Sequence, residues 1–484
     1  MENLRYMLLN MPNPQGENVY REYAGGFGTL GPISGEVLLP SYLVYGTSAV
    51  EISGYPYMSL DAQAMRYNSS RTVEEVREFR PDILLTWASL PTLYEDLETL
   101  KEIKSELPET LIIVMGTVCN VMPEEVLKDG VDLLVRGINP YYRCISSIVN
   151  VFKDNPATEE SFKLIDGAIY RKNGTLVKAL YKPVREDLDE IHLQVYEQLP
   201  IEEYIGEMEN AQGHIVKCIP IVTSVGCPYG CMYCPYSLGY GKKVTHKSID
   251  MILEEMEYLK NKFGIKGFLF RDQVFTYNRK RVESLCNEII ERDLDAKWFI
   301  EARVDQVSYE LLEKMRNAGC FRIHYGVETG AEEMLSTTGK PGLDLEKIKS
   351  VFQMTKEIGI FASAHIILGL PGESKETLEN TLKLIYELNP DAVNLNIATP
   401  YPGTKLFETA SENGWIETYD WSKYTSYDAI METGNLEIED LINARKNIKR
   451  KFRNFKLLKD SHYRNLYIKT LPQSIYYKYL QPGK

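Results

Sequence analysis

Short, almost continuous apolar runs alternate along the chain with longer stretches in which apolar positions recur every three or four residues. In the first third, the runs Tyr6–Asn10, Tyr55–Ala62, Asp82–Ala88, Leu111–Gly116 and Val131–Gly137 predict strands buried on both faces. Helical patterns separate them. Thr72-Val73-Glu74-Glu75 reads as a capping box opening one helix; Pro123 opens another that Gly130 ends. This alternation predicts an α/β domain over residues 1–160, Rossmann-like and doubly wound, with ligands at the carboxyl ends of its strands. Residues 161–215 read as a connector holding a hairpin at Lys172-Asn173-Gly174. A second alternation fills 216–415. Its strands are Ile219–Val225, Ile265–Arg271, Lys297–Arg303, Arg322–Val327, Phe361–Leu368 and Ala392–Ala398, and helices such as Ser248–Lys262, Tyr309–Asn317 and Lys375–Leu388 intervene. Six βα units predict a partial (β/α)6 TIM barrel with its chemistry at the strand carboxyl ends. Residues 416–484 form a C-terminal accessory segment, mostly helical, ending in a basic tail.

Charge narrows the partners. With 55 Lys and Arg against 68 Asp and Glu, the formal net charge is −13, which argues against nucleic acid. The tail from Arg445 runs the other way, rich in Lys and Arg with interleaved aromatics. It predicts a helical cap, a peripheral contact with anionic lipid, or a grip on a phosphorylated substrate. No apolar run is long enough to span a bilayer, and Met1–Arg5 lacks a secretory pattern, so the expected location is the cytoplasm.

Three of the eight cysteines fall together, in Cys227-Pro-Tyr-Gly-Cys231-Met-Tyr-Cys234, just after the first strand of the second alternation. Glycines 226, 230, 239 and 241 allow the tight turns such a loop needs. Three readings are open: buried free thiols, a zinc site completed by His246, or a [4Fe–4S] cluster with one iron left for an outside ligand. Cys119, Cys144, Cys218, Cys286 and Cys320 show no pair spacing and read as core residues. His324 and His365, on barrel strands, read as buried and hydrogen-bonded.

The C-x3-C-x2-C loop resembles that of the radical S-adenosylmethionine (radical SAM) superfamily, with Tyr233 as the aromatic before the last cysteine. The resemblance implies that Cys227, Cys231 and Cys234 hold a [4Fe–4S] cluster whose fourth iron is chelated by S-adenosyl-L-methionine. It extends over roughly 215–415. Phe270-Arg271-Asp272-Gln273 stands where the family often carries Gly-Gly-Glu, which implies Asp272 or Gln273 as partner of the amino group. Trp298-Phe-Ile-Glu301-Ala-Arg303 and Tyr325-Gly-Val-Glu328-Thr-Gly330 resemble motifs holding the ribose, carboxylate and amino groups. Gly369-Leu-Pro371 lies where the family packs adenine.

The domain order resembles the cobalamin-binding branch of that superfamily. Leu9-Asn10-Met11-Pro12 is similar to its first strand end, and Val131-Asp132-Leu-Leu-Val135-Arg136-Gly137 to a late motif. The strand-end loops hold the expected corrinoid contacts Pro12, Asn13, Trp87, Ser89, Gly116, Thr117, Arg136 and Gly137. Residues 1–190 contain no histidine, so no histidine of this domain could ligate cobalt. The implied activity is methylation of an unactivated carbon through a 5′-deoxyadenosyl radical and methylcobalamin, fed by a flavodoxin- or ferredoxin-type one-electron reductant. The alternatives are a radical cyclase or rearrangement enzyme in which cobalamin donates no methyl, and a non-catalytic Fe–S or corrinoid sensor or carrier. The substrate, a small molecule or a lipid, is not legible.

Overall fold

The computed structural model describes residues 4–13, 18–31, 37–139, 141–182, 186–340, 342–465 and 467–468. Strands β1 (Tyr6–Asn10), β2 (Tyr57–Asp61), β3 (Ile83–Trp87), β4 (Leu111–Met115) and β5 (Leu133–Val135) pair in parallel, in the order β2-β1-β3-β4-β5. β1, β3 and β4 are buried along their whole length, which is why they read as unbroken apolar runs. Successive side chains face opposite helical layers. Leu85 and Trp87 pack toward α1 (Ser41–Ser53), while Leu84 packs toward α2 (Ser69–Phe79) and α3 (Leu93–Glu106). The order of the sheet reverses between β1 and β3, where ligands of such folds bind.

Two helix boundaries differ from expectation. α2 opens at Ser69, not at a Thr72 box, because the Asn68 side chain accepts from the Arg71 N–H at 2.8 Å and caps it a turn earlier. Thr72 donates back to the Asn68 carbonyl instead. The helix from Pro123 stops at Val126. Gly130 serves a close approach, since a Cβ there would lie 2.6 Å from the Lys101 Cα.

The connector divides between the two sheets. Its hairpin, β6 (Ala168–Lys172) and β7 (Thr175–Lys178), adds antiparallel to β5. Strand β8 (Gly206–Glu209) pairs antiparallel with β9 (Ile215–Ile221) and opens the second sheet. There β9, β10 (Gly267–Phe270), β11 (Lys297–Arg303), β12 (Cys320–Glu328), β13 (Phe361–Leu368) and β14 (Ala392–Ile397) run parallel in sequence order. One face carries Ile300, Ile323, Tyr325, Ala364, Ile366 and Leu395 into the core shared with the outer helices. The other carries Phe299, Glu301, His324, Gly326, His365 and Asn394, and forms the inner wall of a curled half-barrel. Cys218, Leu269, Phe299 and Phe321 form a small apolar cluster toward the amino ends.

The sheets share one apolar core, and a buried ion pair reinforces it. Lys247, 2.6 Å from Glu255, also lies over the Tyr45 ring of α1. Helix Ile438–Lys459 lies along the half-barrel, and its Arg445 Nε donates to the Leu395 carbonyl. Residues 469–484 of the basic tail lie outside the described residues. Among those described, no helix is long and apolar enough to cross a membrane.

Candidate functional site

The cysteine loop is held from below by the end of β10. Asp272 is buried, and its two oxygens accept from the backbone N–H and hydroxyl groups of both Thr223 and Ser224, at 2.6–2.9 Å. Gln273 accepts from the Gly226 N–H at 2.9 Å and donates to the Arg271 carbonyl. Four hydrogen bonds exhaust the Asp272 carboxylate, so the expectation that it meets an amino group is corrected: Asp272 and Gln273 fix the chain entering the loop. Gly226 is required there, with φ +98° and a hypothetical Cβ 2.3 Å from the Lys243 carbonyl. The Cys227 N–H donates to the Gly241 carbonyl and the Cys234 N–H to the Cys231 carbonyl.

Within this frame burial is the main cause that pushes each of the three thiols up; Cys231 adds to the shift at Cys227, and Cys231 and Cys227 add to it at Cys234. Arg303 and Lys340 oppose it at Cys227 and Cys231, favouring thiolates. Among the described residues no three His, Cys, Asp or Glu converge closely enough to hold a single metal ion. His246, the fourth ligand of the zinc reading, pairs through its backbone with Ser224 in a two-residue ladder.

Above the thiols sit the ends of β11 and β12. Arg303 is bidentate on Asp305 at 2.7–2.9 Å and lies 4.0 Å over the Tyr229 ring, and its buried Nη1 has no partner. Glu328 is buried and backbone-strained, with φ +68°. It is ion-paired to Lys340 and hydrogen-bonded by Tyr233. Lys340 Nζ also donates to the Gly326 carbonyl at 3.1 Å. A Cβ on Gly326 would lie 2.5 Å from both Glu328 Oε1 and Lys340 Nζ, so the glycine leaves room for the pair. Glu301 is half-buried on the same wall, in the field of Arg271 and near His365. Leu370, between Gly369 and Pro371, packs with Met232 and Tyr233 of the cysteine loop.

The family model of the Radical SAM superfamily matches residues 221–385. Those residues therefore carry a radical SAM domain. Among relatives, an uncharacterized methyltransferase, PH0819, of Pyrococcus horikoshii is 29% identical over 417 residues, 86% of each chain. An anaerobic magnesium-protoporphyrin IX monomethyl ester cyclase of Cereibacter sphaeroides is 29% identical over 430 residues, covering 85% of this chain and 66% of the relative. The radical SAM methyltransferase TsrM of Kitasatospora setae, solved with cobalamin and a [4Fe–4S] cluster bound, shares the fold. Its TM-score is 0.65 at 18% identity, over 85% of this chain and 75% of that one.

Lys340 was invisible in the sequence. It lies in no motif, and only the Gly339-Lys340-Pro341-Gly342 run marks a turn there. That turn packs on the loop, because a Cβ on Gly339 would lie 3.0 Å from the Cys231 Cα. His324 has a structural role, its Nε2 accepting from Arg322 Nε at 2.7 Å.

The expected corrinoid contacts divide. Thr117 Oγ1 donates to the Gly25 carbonyl at 2.6 Å and Ser89 Oγ donates to the Phe27 carbonyl at 3.4 Å, so both hydroxyls spend their hydrogen on the Ala24–Gly28 turn and keep only acceptor positions for a ligand. Gly116 abuts the Ala88 carbonyl. Arg136 turns away, over the Tyr181 ring, and Gly137 packs on Cys144 and Tyr141. Pro12 is buried and Asn13 half-buried after β1. Trp87 stacks on Tyr42 at 4.0 Å, yet its buried Nε1–H has no partner. The Tyr141 hydroxyl and Asn139 Oδ1 are buried and equally unpartnered. A buried polar atom without a partner costs about 1–3 kcal/mol, so this trio suits a polar ligand.

Two variants test the frame. Asp272→Asn keeps the shape but leaves one oxygen for four donors; iron retained per chain is expected to fall several-fold while far-ultraviolet circular dichroism stays unchanged. Glu373, buried behind Gly369 and accepting its N–H, has its carboxyl pushed up to about 7 by desolvation, from an ordinary 4.5. Between those values the native state keeps a proton that the unfolded chain gives up. Stability therefore falls as pH rises through that window, by of order 3 kcal/mol. Urea unfolding should show this slope in the wild type and a flattened one in Glu373→Gln.

Proposed function

We propose that the protein is a cobalamin-dependent radical SAM methyltransferase acting on an unactivated carbon, with Cys227, Cys231 and Cys234 holding a [4Fe–4S] cluster. The observation that carries the reading is the convergence on those thiols of a buried, unpartnered Arg303 Nη1, the strained Glu328 and a buried lysine. Arg303 offers that N–H to the carboxylate of S-adenosylmethionine, a charge-assisted contact Asp305 orients by fixing the guanidinium plane. Glu328 accepts from the ligand's amino group, and Lys340 holds the carboxylate in place until then. Glu301 faces the ribose hydroxyls. Tyr233, Leu370 and Pro371 form the wall against which adenine packs. Gly326, without a side chain, lets the ligand approach the β12 backbone. When bound, the cluster supplies an electron to cleave S-adenosylmethionine and a methylcorrinoid supplies the methyl group. Trp87, Asn139 and Tyr141 are the residues that would hold the corrinoid's polar groups. Reducing equivalents come from an external flavodoxin- or ferredoxin-type donor.

The similarity to a cyclase, at the same identity as to a methyltransferase, favours one second reading: a radical cyclase on this scaffold. Product stoichiometry separates the two. Turnover of a methylated substrate yields S-adenosylhomocysteine and 5′-deoxyadenosine together; a cyclase yields the second without the first.

A further inference from the structure

Most buried cations described here have a carboxylate. Arg21 has Asp96, Lys247 has Glu255, Arg303 has Asp305, Lys340 has Glu328 and Lys456 has Asp460. Arg281 and Arg322 lack one but spend N–H groups on backbone carbonyls, of Thr223 and Lys247 and of Glu209. Arg271 does neither. It follows β10, its backbone N–H donating to Ile221, and its guanidinium carbon lies 3.8 Å from the centre of the Tyr23 ring. Around it stand Tyr236, Tyr240 and, more distantly, Glu301, whose charge reaches it without forming an ion pair. Among the described residues the Tyr23 phenol acts on it most strongly, followed by those of Tyr236 and Tyr240.

The geometry matters. Stacking on Tyr23 occupies a face of the guanidinium, whereas its five N–H donors lie in the plane and point past the ring. The guanidinium is partly desolvated and has no carboxylate paired with it, so its charge remains available to an arriving anion. The position is also apt. Tyr23 comes from the long loop after β1, Tyr236 stands two residues beyond Cys234, and Arg271 and Glu301 end adjacent barrel strands. Arg271, Tyr23, Tyr236 and Glu301 are all half-buried, so each keeps part of its surface open to solvent.

We propose that Arg271, with the hydroxyls of Tyr23 and Tyr236, anchors an anionic group of the substrate, a carboxylate or a phosphoryl-type oxyanion, beside the cysteine loop. This rests on the radical SAM reading and adds the substrate's charge to it. Glu301 across the space restricts the anchor to one anionic group, repelling a second.

The test is calorimetric titration of anaerobically reconstituted protein with inorganic phosphate and with succinate, which distinguish the two sources of negative charge. Saturable binding of at least one is expected in the wild type. It should weaken about tenfold or more in Arg271→Gln, the loss of a charge-assisted contact, and partly recover in Arg271→Lys. Arg450→Gln, on the exposed helix Ile438–Lys459, should bind as the wild type does. Iron content and S-adenosylmethionine affinity should match in all four proteins. No saturable anion binding by the wild type, or equal binding by Arg271→Gln, overturns the proposal. So does S-adenosylmethionine affinity falling in step with anion affinity, which would assign Arg271 to that ligand's carboxylate. A wild type that retains no iron would instead sink the radical SAM reading.

Discussion

Cys231→Ala is expected to lose the iron–sulfur chromophore and all reductant-dependent cleavage of S-adenosylmethionine. The fold should survive. The thiol is half-buried on a loop whose backbone is tied elsewhere, through Gly226 to Gln273 and Cys227 to Gly241. Removing one of three ligands leaves two, too few to hold a cluster against dissociation. Cys286→Ala, which removes a thiol inside a barrel helix, should keep iron and cleavage while losing about 1 kcal/mol of stability. Iron content, the visible spectrum and 5′-deoxyadenosine formation check both variants. Undiminished 5′-deoxyadenosine from Cys231→Ala would remove the assigned ligand role.

The second large effect is expected at Lys340. Its ammonium and the Glu328 carboxylate are 8% and 6% exposed, and Glu328 sits in a strained backbone conformation. Lys340→Met strands that carboxylate without its cation, and breaking one side of a buried pair costs about 3–5 kcal/mol. Glu328→Gln together with Lys340→Met removes both charges and should restore most of the stability. The recovered double variant should still fail to bind S-adenosylmethionine, because the acceptor for its amino group is gone. Chemical denaturation and equilibrium dialysis on the four proteins of this cycle separate folding from binding. Additive losses of stability would show that the two charges do not support one another.

The strands were legible because each is a short apolar run whose two faces are both buried; β1, β3 and β4 match the expected spans to within a residue or two at each end. The cysteine loop was legible because three like residues at fixed spacing seldom serve packing alone. What escaped depends on contacts between distant segments. Asp272 looked like a ligand partner since it ends a barrel strand, but the backbone it clamps lies 48 and 49 residues earlier. The bonds of Thr117 and Ser89 to the Ala24–Gly28 turn were hidden because that turn is far away in sequence. Lys340 reaches Glu328 only after the chain loops back over Gly339. No local pattern encodes such pairings.

Every assignment above depends on three thiolates gripping one cluster and leaving a corner for S-adenosylmethionine. The most direct test of that grip is electron paramagnetic resonance of the anaerobically reconstituted, dithionite-reduced wild type, recorded with and without S-adenosylmethionine and paired with iron and sulfide analysis. About four irons and four sulfides per chain are expected, with a signal whose g-values shift when the ligand is added. Iron far below that stoichiometry, or a reduced-cluster signal that S-adenosylmethionine leaves unchanged, would contradict it.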